Sequence, residues 1–376
     1  MKYRRYGRTD RDVSEIGLGG HREGAETGAG LARTARFFRS AQERARVVGR
    51  ALDLGVTYFD TTYGCEIASL GESLRILGKR RGLFVSGMRV DFYSNLAATK
   101  ESPKAYTRRE VETRLKEFGF DHLDQFMLGA LEGGDPLANG HAALEDTFAE
   151  LSLLKQEGKI GLVGFSCHTP DYAARLLNAF PQFDAVMTPY NFTNRAAEGA
   201  LAAALTRTGA AWIAMKTHVW RVYGIPVTAL RALHPADGLQ YDRNAAIGRM
   251  ALQFVLQHPK LVTTVPAANS VAAVEENCAA SDAAALSESD VRQLRVYADA
   301  MDAADQIPLA IAGLLTDNVR VRWMAIGHIR HHLKFEAPEI DWVADDAEEQ
   351  ARTVAAGLIT KLRRDPRWSA YVPDAL

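Results

Sequence analysis

Ser40-Ala-Gln-Glu-Arg-Ala-Arg-Val-Val-Gly-Arg-Ala-Leu-Asp-Leu-Gly55-Val-Thr-Tyr-Phe-Asp60 sets out one complete structural unit. Ser40 with Glu43 reads as a capping box, in which two side chains satisfy the orphan amides of a helix start. Gly55 stands where that helix must stop, because glycine accepts the left-handed conformation at a helix end. The short run Thr57–Asp60 then reads as a strand. Helix, glycine stop and buried strand together form the repeating element of a parallel α/β protein.

The unit recurs on both sides. Further strands are expected at Glu15–Leu18, Leu83–Met88, Leu123–Leu128, Ile160–Phe165, Ala185–Thr188, Trp212–Lys216 and Leu261–Val265. A second capping box, Thr107 with Glu110, predicts a helix from 107 to near Gly119. Other helical patterns cover about 69–78, 143–157, 170–179, 195–208, 245–257 and 270–280. Eight strand–helix units in this order predict an α/β fold of the (β/α)8 TIM barrel type. A doubly wound open sheet is the weaker alternative, since no Gly-rich phosphate loop follows the first strand. Residues 286–376 read as a C-terminal helical extension, with helices near 288–303, 317–332 and 346–363, on a barrel spanning 1–285. The long segments 19–39, 89–106, 129–142 and 217–244 each follow a strand and so gather at the barrel's C-terminal mouth.

Composition narrows the function. The chain has 376 residues, 47% hydrophobic and 24% charged, which is globular rather than disordered. Lys plus Arg number 45 against 46 Asp plus Glu, so a polyelectrolyte partner such as nucleic acid is not expected. Cys65, Cys167 and Cys278 are too far apart for a disulfide framework, a zinc knuckle or an iron–sulfur site, and suit a reducing compartment. The start, Met1 to Tyr6, lacks an apolar signal core, and no apolar run reaches the roughly 20 residues of a membrane span. A cytoplasmic protein acting on a small molecule is the expectation, and nothing in the sequence sets the oligomeric state.

The opening Met1–Gly20 resembles that of the aldo/keto reductases. So do Gly55–Thr61, the Tyr63-Gly64 pair, Leu123–Leu128, Gly158–Ser166 and the run from Pro266 to Glu276-Asn277, in the family's order over about 1–280. The resemblance implies a TIM barrel that reduces carbonyls with NAD(P)H through an Asp, Tyr, Lys and His tetrad. In that chemistry hydride passes to a carbonyl carbon and the phenol supplies a proton. A free phenol, with pKa about 10, needs a nearby cation to act near neutrality. Here Asp60 matches the family Asp and Tyr63 the family Tyr, three residues on rather than five. Met88 occupies the Lys position and Gly129 the His position. A branch of the family is similar through His168-Thr-Pro, Pro189–Phe192 and Ile213–Lys216; its frequent ferredoxin-like C-terminal module has no counterpart here, because 286–376 contains no cysteine.

For the cofactor, the resemblance implies that Ser166 contacts the nicotinamide amide and that Glu276 and Asn277 contact the adenine; Asn191, Lys216 and Asn269 complete the expected set. NAD and NADP both fit that expectation, with NAD on at least an equal footing, since Ala267-Ala-Asn-Ser270 offers no Lys or Arg to a 2′-phosphate. The catalytic candidates are Asp60, Tyr63, Lys216, Arg89 and His168. Lys216 or Arg89 would replace the missing cation beside Tyr63, and His168 or His21 would orient a substrate oxygen. Each also has a structural reading. Asp60 can cap a turn, Tyr63 can pack in a loop, Lys216 and Arg89 can pair with Asp60 or Glu66, and the histidines can be hydrogen-bonded scaffold.

No metal site is assigned. His21, His168, His218 and Glu66 lack metal-ligand spacing, and His328, His331 and His332 read as a solvated basic helix face. The expected function is thus an NAD(P)-dependent oxidoreductase on a polar carbonyl or alcohol, sugar-like in character. The alternatives are a redox-neutral epimerase, lyase or hydrolase on the same barrel, or a non-catalytic binding protein.

Overall fold

The computed structural model describes residues 1–19, 38, 40–218, 244–268, 270–292, 294–295, 306–315, 322, 325–327, 329–330, 333–338, 340 and 346–372. The chain divides into two compact units. One comprises Met1–Tyr190, Arg195–Thr217 and Val255–Ala285, and the other Asn191–Asn194, His218–Phe254 and Leu286–Leu376.

The first unit is the barrel. Strands β1 (Tyr3–Arg5) and β2 (Asp12–Ser14) form an antiparallel hairpin. Seven parallel strands follow in chain order: β3 (Tyr58–Thr61), β4 (Phe84–Arg89), β5 (Leu123–Leu128), β6 (Ile160–Ser166), β7 (Ala185–Pro189), β8 (Ala211–Met215) and β9 (Leu261–Thr264). The eighth position is filled by the expected strand near Glu15–Leu18, which bonds on both sides. Gly17 N–H donates to Thr264 at 2.7 Å, Thr264 N–H to Glu15 at 3.1 Å, and Leu18 N–H to Tyr58 at 2.9 Å. The fold is therefore the (β/α)8 TIM barrel.

Helices α1 (Ala41–Asp53), α2 (Gly64–Ile76), α3 (Phe92–Ala98), α4 (Pro103–Phe118), α5 (Pro136–Asn139), α6 (His141–Gln156), α7 (Pro170–Ala179), α8 (Ala200–Thr208), α9 (Asn244–Leu256) and α10 (Val271–Asp282) lie between or after the strands. The second unit holds most of α9, up to Phe254, with α11 (Gln306–Leu314), α12 (Ala347–Arg364) and the 3-10 turn Ser369–Tyr371. Among the described residues no helix is long and apolar enough to cross a membrane.

Local chemistry explains where expectation and structure part. Ser40 caps α1 as read, accepting Glu43 N–H at 3.2 Å. The helix expected from Thr107 starts earlier, at Pro103, because Ser102 accepts Ala105 N–H and proline suits a first helical position. Thr107 instead bonds back to Pro103 O within that helix, at 2.6 Å. The pattern at 195–208 splits into a 3-10 turn, Ala196–Glu198, and α8. The β1–β2 hairpin and α3 are additions that no periodic pattern announced.

Period-two alternation decides what faces the barrel axis. Tyr58, Phe84, Met88, Met127, Ala185, Met187, Ala211, Ile213 and Val262 pack inward with Tyr6 and Val13 of the hairpin. Tyr6, Tyr58 and Phe84 pack as rings with centroids 4.5–6.0 Å apart. Each such fully buried ring contributes about 1.5–3 kcal/mol.

The N-terminal end is pinned by ions. Asp124 accepts from Arg11 at 2.6 Å, Arg80 at 2.9 Å and the Val85 amide at 2.9 Å. Asp184 does the same with Arg8, Lys155 and the Val163 amide. With that end committed to stability, the C-terminal end remains for chemistry.

Candidate active site

Asp60 is the penultimate residue of β3 and shares the inward parity of Tyr58. Its neighbour in register on β4 is Ser86. The carboxyl is buried at 6% exposure, and Oδ1 has no hydrogen-bond partner among the described residues. Burial pushes its pKa up to about 7, against a smaller opposing pull from the Ser86 hydroxyl. No cation among the described residues enters that balance, because the next inward position on β4 is Met88. The Tyr58 phenol beside it is driven well above its ordinary range, by burial first and then by Asp60.

Arg89 does not join Asp60. It follows Met88 and so takes the outward parity, where its guanidinium meets Glu110 of α4 at 2.8 Å. Arg89 is thus paired on the side of α4, since consecutive residues of a strand face opposite ways. Lys216 follows β8 with φ 62°, a left-handed conformation that costs a non-glycine residue roughly 1 kcal/mol or more. Its side chain is half-buried.

Tyr63 is half-buried and is the N-cap of α2. Glu66 holds this turn, its Oε2 accepting the amides of Thr62 at 3.0 Å and Tyr63 at 3.2 Å. Glu66 is thus a helix cap, which starts α2 five residues before the expected 69.

Gly129 closes the end of β5. A Cβ there would lie 2.8 Å from Arg89 O, 2.9 Å from Val90 Cα and 3.0 Å from Met88 Sδ. The chain then turns through Ala130 at φ 50° into the 3-10 turn Leu131–Gly134 and α5. Ser166, the last residue of β6, fastens this turn by accepting Ala130 N–H at 2.9 Å. The Ser166 hydroxyl donates towards Met88 Sδ at 3.7 Å, a weak acceptor.

His168 stands two residues beyond β6, and Glu132 accepts both its backbone N–H at 2.7 Å and its ring Nδ1 at 2.8 Å. Burial works to raise the Glu132 carboxyl, but the hydrogen bonds from His168 overcome it and hold it below the ordinary range. Tyr172 of α7 anchors the same loop by donating to Asp135 at 2.6 Å. Sequence reading missed Glu132, because an isolated Glu before Gly133-Gly134 carries no periodic or motif signal.

Of the cofactor candidates, Asn277 is buried on α10, and Glu276 beside it is exposed. Asn191 belongs to the second unit, where its Oδ1 accepts from the Thr193 amide, the Thr193 hydroxyl and the Asn194 amide at 2.9, 2.6 and 2.8 Å. His218, in that unit too, meets Gly248 O at 3.1 Å. Asn269, His21, His328, His331 and His332 lie outside the described residues. Cys167 and Cys278 are buried free thiols, both pushed up by burial, Cys278 to about 11, so neither is an activated thiolate.

The arrangement offers an inward acid on β3 with no cation partner among the described residues, a hydroxyl on β6 whose acceptor among them is a sulfur, and a carboxylate-held imidazole beyond β6. The hydroxyl is the observation that fits a nicotinamide amide, since among the described residues its proton has a weak partner to give up.

Comparison with known proteins gives this geometry a context. A model of the Aldo/keto reductase family matches residues 16–218. A protein of Glycine max named probable aldo-keto reductase 1 is 23% identical over 280 residues, covering 67% of this chain and 78% of its own length. Pyridoxine 4-dehydrogenase of Escherichia coli K12 is 26% identical over 253 residues, covering 62% and 79%. Among solved structures, the holo form of aldo-keto reductase AKR11C1 from Bacillus halodurans superposes with a TM-score of 0.60 at 22% identity, over 79% of this chain and 96% of that one. An aldo-keto reductase of Klebsiella pneumoniae, in complex with NADPH, gives 0.58 at 22% identity over 79% and 95%. At that identity the structural likeness is one of fold.

Proposed function

The chain belongs to the aldo/keto reductase family, a family of oxidoreductases that use nicotinamide cofactors, and on that premise we propose that it exchanges a hydride with a small polar carbonyl or alcohol, sugar-like in character, at the barrel mouth. The observation that carries this reading is Asp60. It is a buried carboxyl on the inward face of β3, in register with Ser86, and burial pushes its pKa up to about 7, which suits proton exchange near neutral pH.

When bound, the cofactor supplies or accepts the hydride. Ser166, Lys216, Asn269, Glu276 and Asn277 are the residues we assign to holding it, whereas Asn191 belongs to the second unit. The NADPH complex of the Klebsiella pneumoniae relative supports NADP, and the lack of Lys or Arg in Ala267–Ser270 supports NAD. Tyr63 passes the proton to the substrate oxygen, Asp60 is the acid with which that proton is shared, Lys216 brings the positive charge, and His168 orients the oxygen. Arg89 is left to its ion pair with Glu110. The buried free thiols suit a reducing compartment, and we place the protein in the cytoplasm.

Titration of the purified protein with NADH and with NADPH, followed by nicotinamide fluorescence, tests the reading. Saturable binding of at least one is expected, and binding of neither ends it.

A further inference from the structure

Beneath the mouth, one layer of the barrel interior is polar. Asp60, Ser86 and Gln125 stand in register on β3, β4 and β5, and all three are buried. Ser86 has the inward parity of Phe84 and Met88, as Asp60 has that of Tyr58. Along the strands the ring pair Tyr58 and Phe84 comes before this layer, and the thioether pair Met88 and Met127 comes after it. The Tyr6 hydroxyl, from the hairpin, donates to Gln125 Oε1, and the Gln125 amide donates on to Met127 Sδ. Asp60 Oδ1, Ser86 Oγ and Tyr58 Oη are buried too, yet none has an aligned hydrogen bond among the described residues. Resting on the oxidoreductase reading above, we propose that Ser86 and Tyr58 are the positioning residues of Asp60, a relay of two hydroxyls that partners its carboxyl in place of the lysine lost at Met88.

Ser86 stands between the other two. Burial disfavours the ionised form of both Asp60 and Tyr58, and the Ser86 hydroxyl opposes burial in each. A serine hydroxyl carries one donor and two acceptor lone pairs, and it rotates to suit its neighbours. Towards neutral Asp60 it accepts from the carboxyl O–H. Towards the carboxylate it turns and donates, while Tyr58 donates to Ser86. Asp60 thus gains or loses one proton, and Ser86 and Tyr58 keep theirs and only reorient. A dry layer calls for such a device, because a carboxylate left there without a donor is far costlier than a neutral acid. Among the described residues, the groups facing Asp60 are Tyr58 from β3 and Ser86 from β4. Tyr6 of the hairpin lies behind Tyr58, and Asp184 is felt as far as Tyr6.

The test begins without cofactor. Infrared difference spectra in heavy water read the carbonyl stretch of a protonated carboxyl as pH is raised. A band that titrates near pH 7 and is removed by Asp60→Asn is expected. Ser86→Ala is expected to raise its midpoint by about one to two pH units, the effect of one hydrogen bond to a charged group. Ser86→Thr, which keeps a hydroxyl, is expected to bring the midpoint back towards the native one. Tyr58→Phe is expected to raise it by less, and the double variant no further than Ser86→Ala, because Tyr58 acts through Ser86. If Ser86→Ala fails to fold, Tyr58→Phe carries the test. A midpoint that neither variant moves, or a band that survives Asp60→Asn, overturns the relay. So does a threonine variant that titrates like the alanine one, or a double variant whose shift is the sum of the two. With NADPH and glyceraldehyde as the probe pair, kcat for reduction is expected to fall as Asp60 ionises, and Ser86→Ala is expected to carry that fall to higher pH with the infrared midpoint. A fall that stays in place while the band moves also overturns the relay. Absence of turnover with either nicotinamide cofactor in the native protein defeats the oxidoreductase reading instead, and the infrared titration alone then decides the relay.

Discussion

Asp60 gives the clearest quantitative consequence at the scale of one residue. Its pKa in the fold, about 7, lies above its ordinary value of 3.8. Below pH 4 the carboxyl is neutral whether the chain is folded or not, and it costs nothing. Between pH 4 and 7 the unfolded chain releases the proton while the folded one retains it, so stability falls as pH rises. Above pH 7 the full penalty applies, on the order of 4 kcal/mol. Asp60→Asn is therefore expected to raise Tm at pH 8, leave it nearly unchanged at pH 4 and abolish turnover. Thermal melts from pH 4 to 8 check the first two, and an equal loss of Tm at every pH contradicts them. Gly129 makes the opposite statement. Gly129→His, which restores the family residue in name, is expected to lower stability by about 2 kcal/mol or more, because the clash is with backbone. Urea denaturation reads the difference.

Among the elements, the turn after β5 is set by α3. Tyr93 of α3 fills the space that a side chain at Gly140 would need: a Cβ there would fall 1.1 Å from the Tyr93 hydroxyl. Gly140→Ala is thus expected to push α3 off the loop that carries Glu132, at a cost of roughly 1–3 kcal/mol. Tyr93→Leu, by vacating the space, is expected to recover most of that loss. A double-mutant cycle in urea measures the coupling, and strictly additive effects exclude the contact as its cause. The capping boxes show why element boundaries resist sequence reading. Ser40 and Thr107 carry the same signature, yet only Ser40 begins a helix, because Ser102-Pro103 supplies an earlier start on the other one. Where two local signals compete over five residues, the one that also buries Tyr106 against Phe92 is retained, with ring centroids 5.1 Å apart.

For the barrel unit as a whole, closure depends on the N-terminal hairpin. Arg4 bonds the buried Glu15 at 2.7 Å and also the carbonyl oxygens of Leu256, His258 and Leu261, tying the first strand position to the last. Arg4→Ala strands Glu15 without that charge and is expected to cost about 3–5 kcal/mol, read as a fall in urea midpoint. Cofactor acts in the other direction. At a concentration 100 times its Kd, the bound dinucleotide is expected to add about 2.7 kcal/mol, seen as a rise in Tm with NADH or NADPH but not with adenine alone.

The sequence by itself determined the barrel. Strand and helix periods, glycine stops and the Ser40 cap are local signals, and eight strand–helix units in order favour a barrel over a doubly wound open sheet. It also set Asp60 and His168 among the residues expected at the mouth, and the resemblance to the family pointed to Ser166. Only the tertiary structure decided which side chains share a face and which charges meet. Arg89 adjoins Met88 in sequence but points to α4, since alternate residues of a strand face opposite ways. Glu132 and His168 lie 36 residues apart and meet because a backbone packed too tightly for any side chain at Gly129 turns one loop onto the next strand. Local energetics writes the elements into the chain, whereas the pKa of Asp60 and the pairing of His168 arise from burial and close approach, which exist only once the barrel is closed.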